Sequence, residues 1–480
     1  MNRTIGIIES TMRDGQQSRW ATRMTTAMTL PALDALDNAG FHAIEFMGTA
    51  IMEACVRYLG ENPWERIRIA RGRVRRTHLG MISPVLGFSV TRGAIADDVS
   101  DLFFTRCAAN GIDHFFLNDG LNDIRNYEVP AAAARRMGAT VLGTLTFSIS
   151  PVHTDAYYLA KLAELIGLGV DIVVLKDPNG ILTPERVRSL VPALCGAAGS
   201  TPVFIHSHCV TGLGPAVNLA AIAHGAAGTW TCAAPLANGY SLPATASMLR
   251  HLRREGYRIA VDSARVAEID EHFRKVAIRH GMPMGEPAEY DPSWYQHQLP
   301  GGMISNFHAQ LAQLGLADRL PAVLDLIPAV RADLGWAPMV TPFSQIYATQ
   351  AALNMLYGPY AVMLDEVRRL ALGYYGQTPA PMDPNLLDRA TRGEEPIRMR
   401  PGRLLAPDLE RFRRDRGPFA SDDDLLLAYF FMPDQLRRLQ AAGPIRITEE
   451  ARPGGLARLV RDVARNRSVT RLHLHWSSGS

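Results

Sequence analysis

The sequence predicts an α/β fold that closes into a barrel, and three observations lead to it. From residue 4 to about residue 256, short apolar runs alternate with helix-like segments. Several of these segments are followed by glycine just before the next run, as is typical where a helix ends. Alternating strands and helices imply parallel strand pairing, and eight such units in about 250 residues match a TIM (β/α)8 barrel in count and size.

The eight apolar runs are the predicted strands, and helical periodicity fills the spaces between them. The strands are predicted at residues 5–8, 42–46, 74–81, 114–118, 140–148, 171–176, 202–206 and 228–232. Helix-like segments are clearest at residues 154–168, 184–198, 214–224 and 242–255. A doubly wound open sheet is the alternative fold, but no Gly-rich dinucleotide fingerprint follows the first run.

After the barrel, helical periodicity replaces the strand pattern. It is found at residues 264–280, 306–314, 321–334, 342–356 and 361–372. The sequence therefore predicts a catalytic barrel at 1–258, an α-helical C-terminal domain at 259–376 and an extension at 377–480. In the extension, the Pro-, Gly- and Arg-rich stretch 377–417 is interpreted as loop, 422–442 as one helix, and the basic end of the chain as a mobile tail.

Composition excludes several classes of protein. The chain is 47% hydrophobic and 20% charged, which excludes a wholly disordered protein, and its net charge of +3 does not favour a nucleic-acid partner. Five cysteines without a CxxC pair indicate neither a disulfide framework nor a zinc knuckle, and they favour a cytoplasmic protein. No apolar stretch reaches the roughly 20 residues of a membrane span.

Metal-ligating residue types lie where the predicted strands end. Asp14 follows the first strand, Lys176 ends the sixth, and His206 and His208 follow the seventh. In this fold the reactive groups gather at the C-terminal ends of the strands. One residue separates the two histidines, so in an extended chain their side chains face the same side and can bind one cation. Imidazole and carboxylate together suit Zn²⁺, Co²⁺ or Mn²⁺ better than Ca²⁺ or Mg²⁺.

Lys176 is one of only three lysines among 50 basic residues, which suggests that its amine is needed. An ammonium would repel a metal, so the amine must be neutral, distant or converted to an anionic N-carboxylated group. Other interpretations remain open for each signal alone. The histidines can be a hydrogen-bonded pair, Asp14 a turn residue, and Lys176 an ion-pair partner of Asp177 or the Schiff-base nucleophile of an aldolase.

Longer stretches resemble the carboxyltransferase subunits and domains of biotin-dependent enzymes. Examples are Arg13-Asp14-Gly15-Gln16-Gln17-Ser18 and Leu175-Lys176-Asp177. Further matches lie at residues 21–23, 58–66, 148–154, 206–208, 299–303, 340–342 and 372–376. The family includes the central subunit of transcarboxylase, the α subunit of oxaloacetate decarboxylase and the carboxyltransferase domain of pyruvate carboxylase. The resemblance extends to about residue 445.

The resemblance implies a barrel with a helical C-terminal domain, usually a homodimer, that moves a carboxyl group between carboxybiotin and a 2-oxo acid such as pyruvate or oxaloacetate through an enolate. By motif, the metal ligands would be Asp14, carbamylated Lys176, His206 and His208. The other residues expected in the site are Arg13 and Gln17 in catalysis, Gln17 and Arg23 near the substrate, and Thr245, with Ser241 in reserve, as the hydroxyl that carries a proton to and from biotin.

The chain departs from the family where the substrate is expected. An arginine that holds the substrate carboxylate is replaced at Met81 or a close neighbour, and a second arginine is lost on the fourth strand, where this chain has Phe116 and Asn118. Loss of a charge-assisted clamp predicts a more apolar substrate, or one bound in another orientation. Pro178 stands where the family usually has methionine, and we expect this difference to change the surroundings of the implied metal.

We therefore predict an enzyme that transfers or removes a carboxyl group on a carbonyl acid. The other two lysines, Lys161 and Lys275, lie in helix-like contexts that do not suit biotin attachment, so carboxybiotin would come from a separate biotin carrier protein charged by a biotin carboxylase. The alternatives are a biotin-independent, metal-dependent decarboxylase or aldolase with an altered substrate pocket, and a non-catalytic scaffold subunit of a carboxylase complex.

Overall fold

The computed structural model describes residues 3–88, 94–301, 304, 307, 311–312 and 317–448. Within them, eight parallel strands pair in sequence order and β1 pairs with β8, which closes the barrel. The strands are β1 Gly6–Glu9, β2 Ala43–Gly48, β3 His78–Pro84, β4 His114–Asn118, β5 Thr140–Thr146, β6 Ile172–Asp177, β7 Val203–Ser207 and β8 Gly228–Thr231. The predicted fold class is confirmed, and β3 begins four residues later than expected.

Two apolar layers follow from the alternation of side chains along each strand. One set of strand residues points into the barrel, where Ile8, Phe116, Val174 and Trp230 belong to one core cluster. Their neighbours in sequence point outward and pack against the surrounding helices. Because each strand is buried on both faces, the strands appear in the sequence as continuous apolar runs.

Helices surround the barrel and continue beyond it. Up to the end of the barrel they are Gln16–Arg19, Thr26–Asn38, Thr49–Ala54, Pro63–Arg73, Asp97–Asn110, Glu128–Arg136, Asp155–Gly167, Pro184–Ala198, Gly214–Ala223 and Thr245–Arg254. The later ones are Ser263–His280, Trp294–His297, Leu320–Asp333, Phe343–Tyr357, Asp365–Ala371, Pro384–Thr391, Leu409–Arg416, Asp422–Phe430 and Pro433–Ala442. Among the described residues, no helix combines the length and apolar character needed to cross a membrane.

The helical region has its own core and lies over the C-terminal ends of the strands. Its packed residues include Ile327, Phe343 and Tyr347. Asn179, just after β6, donates to the carbonyl of Met339 at 2.9 Å. The helical region therefore covers the loop after β6, and it also lines a cavity with the ends of β3 and β4. The predicted domain boundaries at residues 258 and 376 remain predictions.

The extension differs from its prediction in two places. The stretch 377–417 contains the helices Pro384–Thr391 and Leu409–Arg416, so its interpretation as loop was wrong. The single helix predicted at 422–442 is two helices, because Phe431 and Met432 are extended before Pro433, and proline disfavours helical geometry in the residue that precedes it. Most of the helix predicted at 306–314, and the tail from residue 449 onward, lie outside the described residues.

Candidate metal centre

Three of the four predicted metal ligands meet at the C-terminal mouth of the barrel. Asp14 lies in a short π-helical turn, Thr11–Gly15, directly after β1, while His206 and His208 lie at and just beyond the end of β7. The Nε2 atoms of the two histidines are 3.1 Å apart, and Asp14 Oδ2 lies 3.5 Å from that of His206 and 3.2 Å from that of His208. All three side chains are buried.

These spacings are those of ligand atoms around one ion. A tetrahedral ion with bonds of about 2.0–2.1 Å holds its ligand atoms about 3.3 Å apart. His208 Nδ1 lies 2.8 Å from the carbonyl oxygen of Tyr240, and donation to that oxygen leaves Nε2 with a lone pair for a metal. In the described part of the chain, no other group of three His, Cys, Asp or Glu side chains is arranged for a metal in this way.

The protonation states also suit a cation. Burial lowers the pKa of His206 to about 3, so its imidazole is neutral. Burial acts to raise the pKa of Asp14, but the charge of Arg13 and the interactions with both histidines hold that pKa well below its usual value. At neutral pH the three side chains therefore offer one carboxylate and at least one neutral imidazole.

A buried ion-pair network holds Asp14 in place. Arg13 lies 2.9 Å from Asp14 Oδ2 and 3.0 Å from Glu45 Oε2, and Ser10 donates to the same Glu45 oxygen. Ser18, which the sequence reasoning missed, donates to Asp14 Oδ1 at 2.8 Å. Arg13 thus forms ion pairs with two carboxylates, and these contacts position Asp14.

Lys176 is adjacent to this group. Its Cα is the register partner of His206 across β6 and β7. Its amine donates to Asn118 Oδ1 at 3.3 Å and lies 5.4 Å from the centroid of the Phe116 ring. Burial, reinforced by the charge of Arg13, lowers the pKa of Lys176 to about 8. A larger fraction of Lys176 than of an ordinary lysine is therefore neutral near pH 7, and the neutral amine is the form that reacts with carbon dioxide.

The substrate positions predicted on the third and fourth strands fall in different environments. Met81 is fully buried in the layer between barrel and helices, so the structure does not support a substrate contact there; its neighbour Ile82 packs against the interior cluster instead. Phe116 lies inside the barrel, 5.0 Å from the Trp230 ring and 5.7 Å from the His206 ring. Asn118 ends β4 and reaches the amine of Lys176.

The remaining predicted residues differ in their exposure and in their contacts. Gln17 is exposed on the short helix after Asp14, and Arg23 lies over the ring of Tyr58 at 3.6 Å. Thr245 is 1% exposed and donates to Thr231 Oγ1 at 2.8 Å or to the Cys232 carbonyl at 3.0 Å.

Ser241 is also fully buried, with its hydroxyl 3.7 Å from Cys232 Sγ. Tyr240, which the sequence reasoning did not single out, is half-buried beside His208. Its place beside a histidine of the His-x-His motif could not be recognised from sequence, because 31 residues separate the two positions.

A small cavity of about 50 Å³ lies at the ends of β3 and β4. Its lining comes from the ends of these strands and from the helical region that roofs the barrel. The lining residues are Pro84, Leu86, Gly87, Asn118, Asp119, Gly120, Thr341, Pro342, Phe343 and Tyr375. Asn118 belongs both to the cavity and to the surroundings of the Lys176 amine.

Comparison with known proteins agrees with this architecture. A family model described as a conserved carboxylase domain matches residues 295–442, and one described as HMGL-like matches residues 4–269. The chain is 38% identical to one of the subunits of pyruvate carboxylase from Methanocaldococcus jannaschii, over 88% of this chain and 75% of that one. It is 33% identical to the methylmalonyl-CoA carboxyltransferase 5S subunit of Propionibacterium freudenreichii subsp. shermanii, over 90% and 86%.

Two further matches extend the comparison. The large subunit of 2-oxoglutarate carboxylase from Hydrogenobacter thermophilus is 32% identical, over 90% of this chain and 67% of that one. The carboxyl transferase domain of Rhizobium etli pyruvate carboxylase, solved with pyruvate and biocytin, superposes with a TM-score of 0.84 at 25% identity, over 92% of this chain and 78% of that one.

Proposed function

Because the chain belongs to the carboxyltransferase family of biotin-dependent enzymes, we propose that it moves a carboxyl group between carboxybiotin and a 2-oxo acid or related carbonyl acid. In the forward direction, the carboxyl–nitrogen bond of carboxybiotin breaks and a carbon–carbon bond forms at the enolate carbon of the acceptor. The proton lost from that carbon passes to the biotin nitrogen. Relatives named for pyruvate, methylmalonyl-CoA and 2-oxoglutarate support this reaction class.

We propose that Asp14, carbamylated Lys176, His206 and His208 hold a divalent metal, with Zn²⁺, Co²⁺ and Mn²⁺ as the candidates. The observation that carries this proposal is the set of spacings from 3.1 to 3.5 Å among the ligand atoms of Asp14, His206 and His208. When bound, the ion supplies electrostatic stabilisation of the negative charge that develops on the enolate. Arg13 keeps Asp14 ionised and aimed at the site, while Gln17 and Arg23 are proposed for the substrate side of the mouth.

The hydroxyl that carries the proton to biotin is proposed differently from the sequence prediction. Thr245 and Ser241 are buried, with their hydroxyls directed to groups inside the protein, which does not support that role. We propose Tyr240 in their place, because its side chain is half-buried and its backbone carbonyl lies 2.8 Å from His208 Nδ1, which puts the residue beside a proposed metal ligand.

Carboxybiotin is proposed to come from a separate carrier protein and biotin carboxylase. Lys161 and Lys275 lie on helices and pair with Glu164 and Glu271, settings unlike the exposed hairpin that carries biotin. A homodimer is proposed from the family. A cytoplasmic location is proposed from the cysteines, all five of which are free thiols.

Metal analysis of the purified chain tests the centre. Wild type should contain about one divalent ion per chain, and Lys176→Ala and His208→Ala should lose most of it. His251→Ala, on an exposed part of the helix Thr245–Arg254, is the matched control and should retain the ion. Wild type without metal would refute the proposed centre. Carboxylation of pyruvate with a biotinylated carrier then tests the reaction itself.

A further inference from the structure

The end of the barrel opposite to the candidate metal centre carries three histidines on neighbouring strands. His42 directly precedes β2, and His78 and His114 are the first residues of β3 and β4. We propose that these three imidazoles bind a second metal ion, of the class that imidazole prefers, such as Ni²⁺, Zn²⁺ or Cu²⁺. This site lies away from the proposed reaction and does not depend on it.

The three rings form one cluster. The centroid of the His114 ring lies 5.7 Å from that of His42 and 6.0 Å from that of His78. For comparison, the rings of His206 and His208, whose Nε2 atoms are 3.1 Å apart, have centroids 5.1 Å apart. Both pairs are therefore within about 1 Å of the ring separation in the two histidines that we propose as ligands at the barrel mouth.

His114 supplies a buried nitrogen without a partner. The residue is 3% exposed, and among the described residues no group forms a hydrogen bond with its Nε2. Burial and the charges of His42 and His78 hold the pKa of His114 well below its usual value, so the ring is neutral and has a lone pair to offer. A buried polar atom without a partner is unfavourable, and a metal ion bound to this nitrogen would satisfy it.

His78 is oriented by a carboxylate. Its Nδ1 lies 3.4 Å from Asp113 Oδ2. Asp113 in turn accepts from the backbone amide of Leu79 at 2.7 Å and from Arg71 at 3.2 Å, so the carboxylate is fixed on the chain. A carboxylate on one ring nitrogen favours the tautomer that leaves the other nitrogen free for a metal, and metal-binding histidines commonly have such a partner.

The two outer histidines can move to meet the third. In the structure the nitrogens of the three rings do not converge as those of His206 and His208 do. His42 and His78 are exposed, however, so rotation about their side-chain bonds can turn a nitrogen toward His114 without opening the core. Water would complete the shell around three imidazoles. Because two ligands are exposed, we expect this ion only when metal is added, beyond the ion at the barrel mouth.

Calorimetric titration of the full chain with Ni²⁺ after chelation tests the site. His208→Ala, which removes a proposed ligand at the barrel mouth, should still bind about one Ni²⁺. Adding His78→Asn or His42→Asn should weaken that binding at least tenfold, whereas His251→Ala, the matched control, should leave Kd within about twofold. The titration is run at about pH 8, because the hydrogen bond with Asp113 raises the pKa of His78 above the usual histidine value of about 6.5.

The melting temperature gives a second measurement. Ni²⁺ should raise the melting temperature of His208→Ala, because the folded chain alone brings the three imidazoles together, and should raise it less after His78→Asn is added. No Ni²⁺ binding by folded His208→Ala, or equal Kd values with and without both asparagine substitutions, overturns the inference. Loss of the ion at the barrel mouth from His78→Asn would show that the two centres are not separate and would also overturn it.

Discussion

Replacement of Arg13 by methionine should strongly destabilise the metal-free protein. The Arg13 side chain is 6% exposed and lies 2.9 Å from Asp14 and 3.0 Å from Glu45, whose side chains are each 3% exposed. Removal of one partner from a buried ion pair costs about 3–5 kcal/mol, because the remaining charge stays buried without compensation. Here two carboxylates lose their common cation, so we expect the loss to reach at least that range.

A matched control separates this effect from the loss of any arginine. Arg265 pairs with Glu268 at 2.8 Å, but both side chains are about half exposed. Exposed pairs contribute about 0–1 kcal/mol, so Arg265→Met should leave stability almost unchanged. Adding Glu45→Gln to Arg13→Met should recover part of the loss, because one of the two uncompensated carboxylates is removed.

The assay is thermal unfolding after chelation, repeated with saturating Zn²⁺. A cation bound beside Asp14 replaces part of the lost positive charge, so the metal should reduce the destabilisation by Arg13→Met. Equal melting temperatures for Arg13→Met and Arg265→Met without metal would refute the assignment of Arg13 as the residue that holds these carboxylates.

Three further results are expected. Tyr240→Phe should lower kcat without changing the melting temperature. Thr245→Val should lower stability by about 1 kcal/mol, which is the usual net contribution of one hydrogen bond. A loss of kcat in Thr245→Val but not in Tyr240→Phe would reverse the proposed roles. Burial lowers the pKa of His153 to about 3, so below pH 6.5 His153 binds a proton in the unfolded chain but not in the folded chain. His153 alone should therefore make stability fall by about 1.4 kcal/mol per pH unit between pH 6.5 and 3. The pH dependence of the free energy of unfolding, measured with urea, should be less steep in His153→Gln than in wild type. Asp423→Ala should destabilise the packing of the extension on the barrel, because Asp423 accepts from Arg68, Arg106 and Asn110. A melting temperature equal to that of wild type would contradict this expectation.

Local patterns predicted the strands well but did not show which face of a strand each side chain occupies. His206 and His208 were predicted correctly to share one side, because residues two apart on a strand do so in any pairing. Met81 and its neighbour Ile82 face opposite layers, and the closed barrel was needed to show that Ile82 is the one directed to the interior cluster.

The extension shows a signal that was present but overlooked. Pro384 begins a helix and Asp383 caps it by accepting from the amide of Leu386, an arrangement that the order Asp-Pro suggests. Similarly, Pro433 indicated a break between two helices. Residues 377–417 were interpreted as loop because of their high content of proline, glycine and arginine, although these short signals indicate helices.

Chain order alone was enough to predict eight alternating strand and helix units, and to place Asp14, Lys176, His206 and His208 near strand ends. These features follow from local periodicity, and in parallel strands all carboxyl ends meet at one edge. The closed barrel was needed to bring the ligand atoms of Asp14 and the histidines within about 3.5 Å and to bury Thr245, and the packing of the helical region on the barrel was needed to place Phe343 and Tyr375 over the cavity. Those properties arise from contacts between segments up to hundreds of residues apart, and each depends on packing that no local pattern encodes.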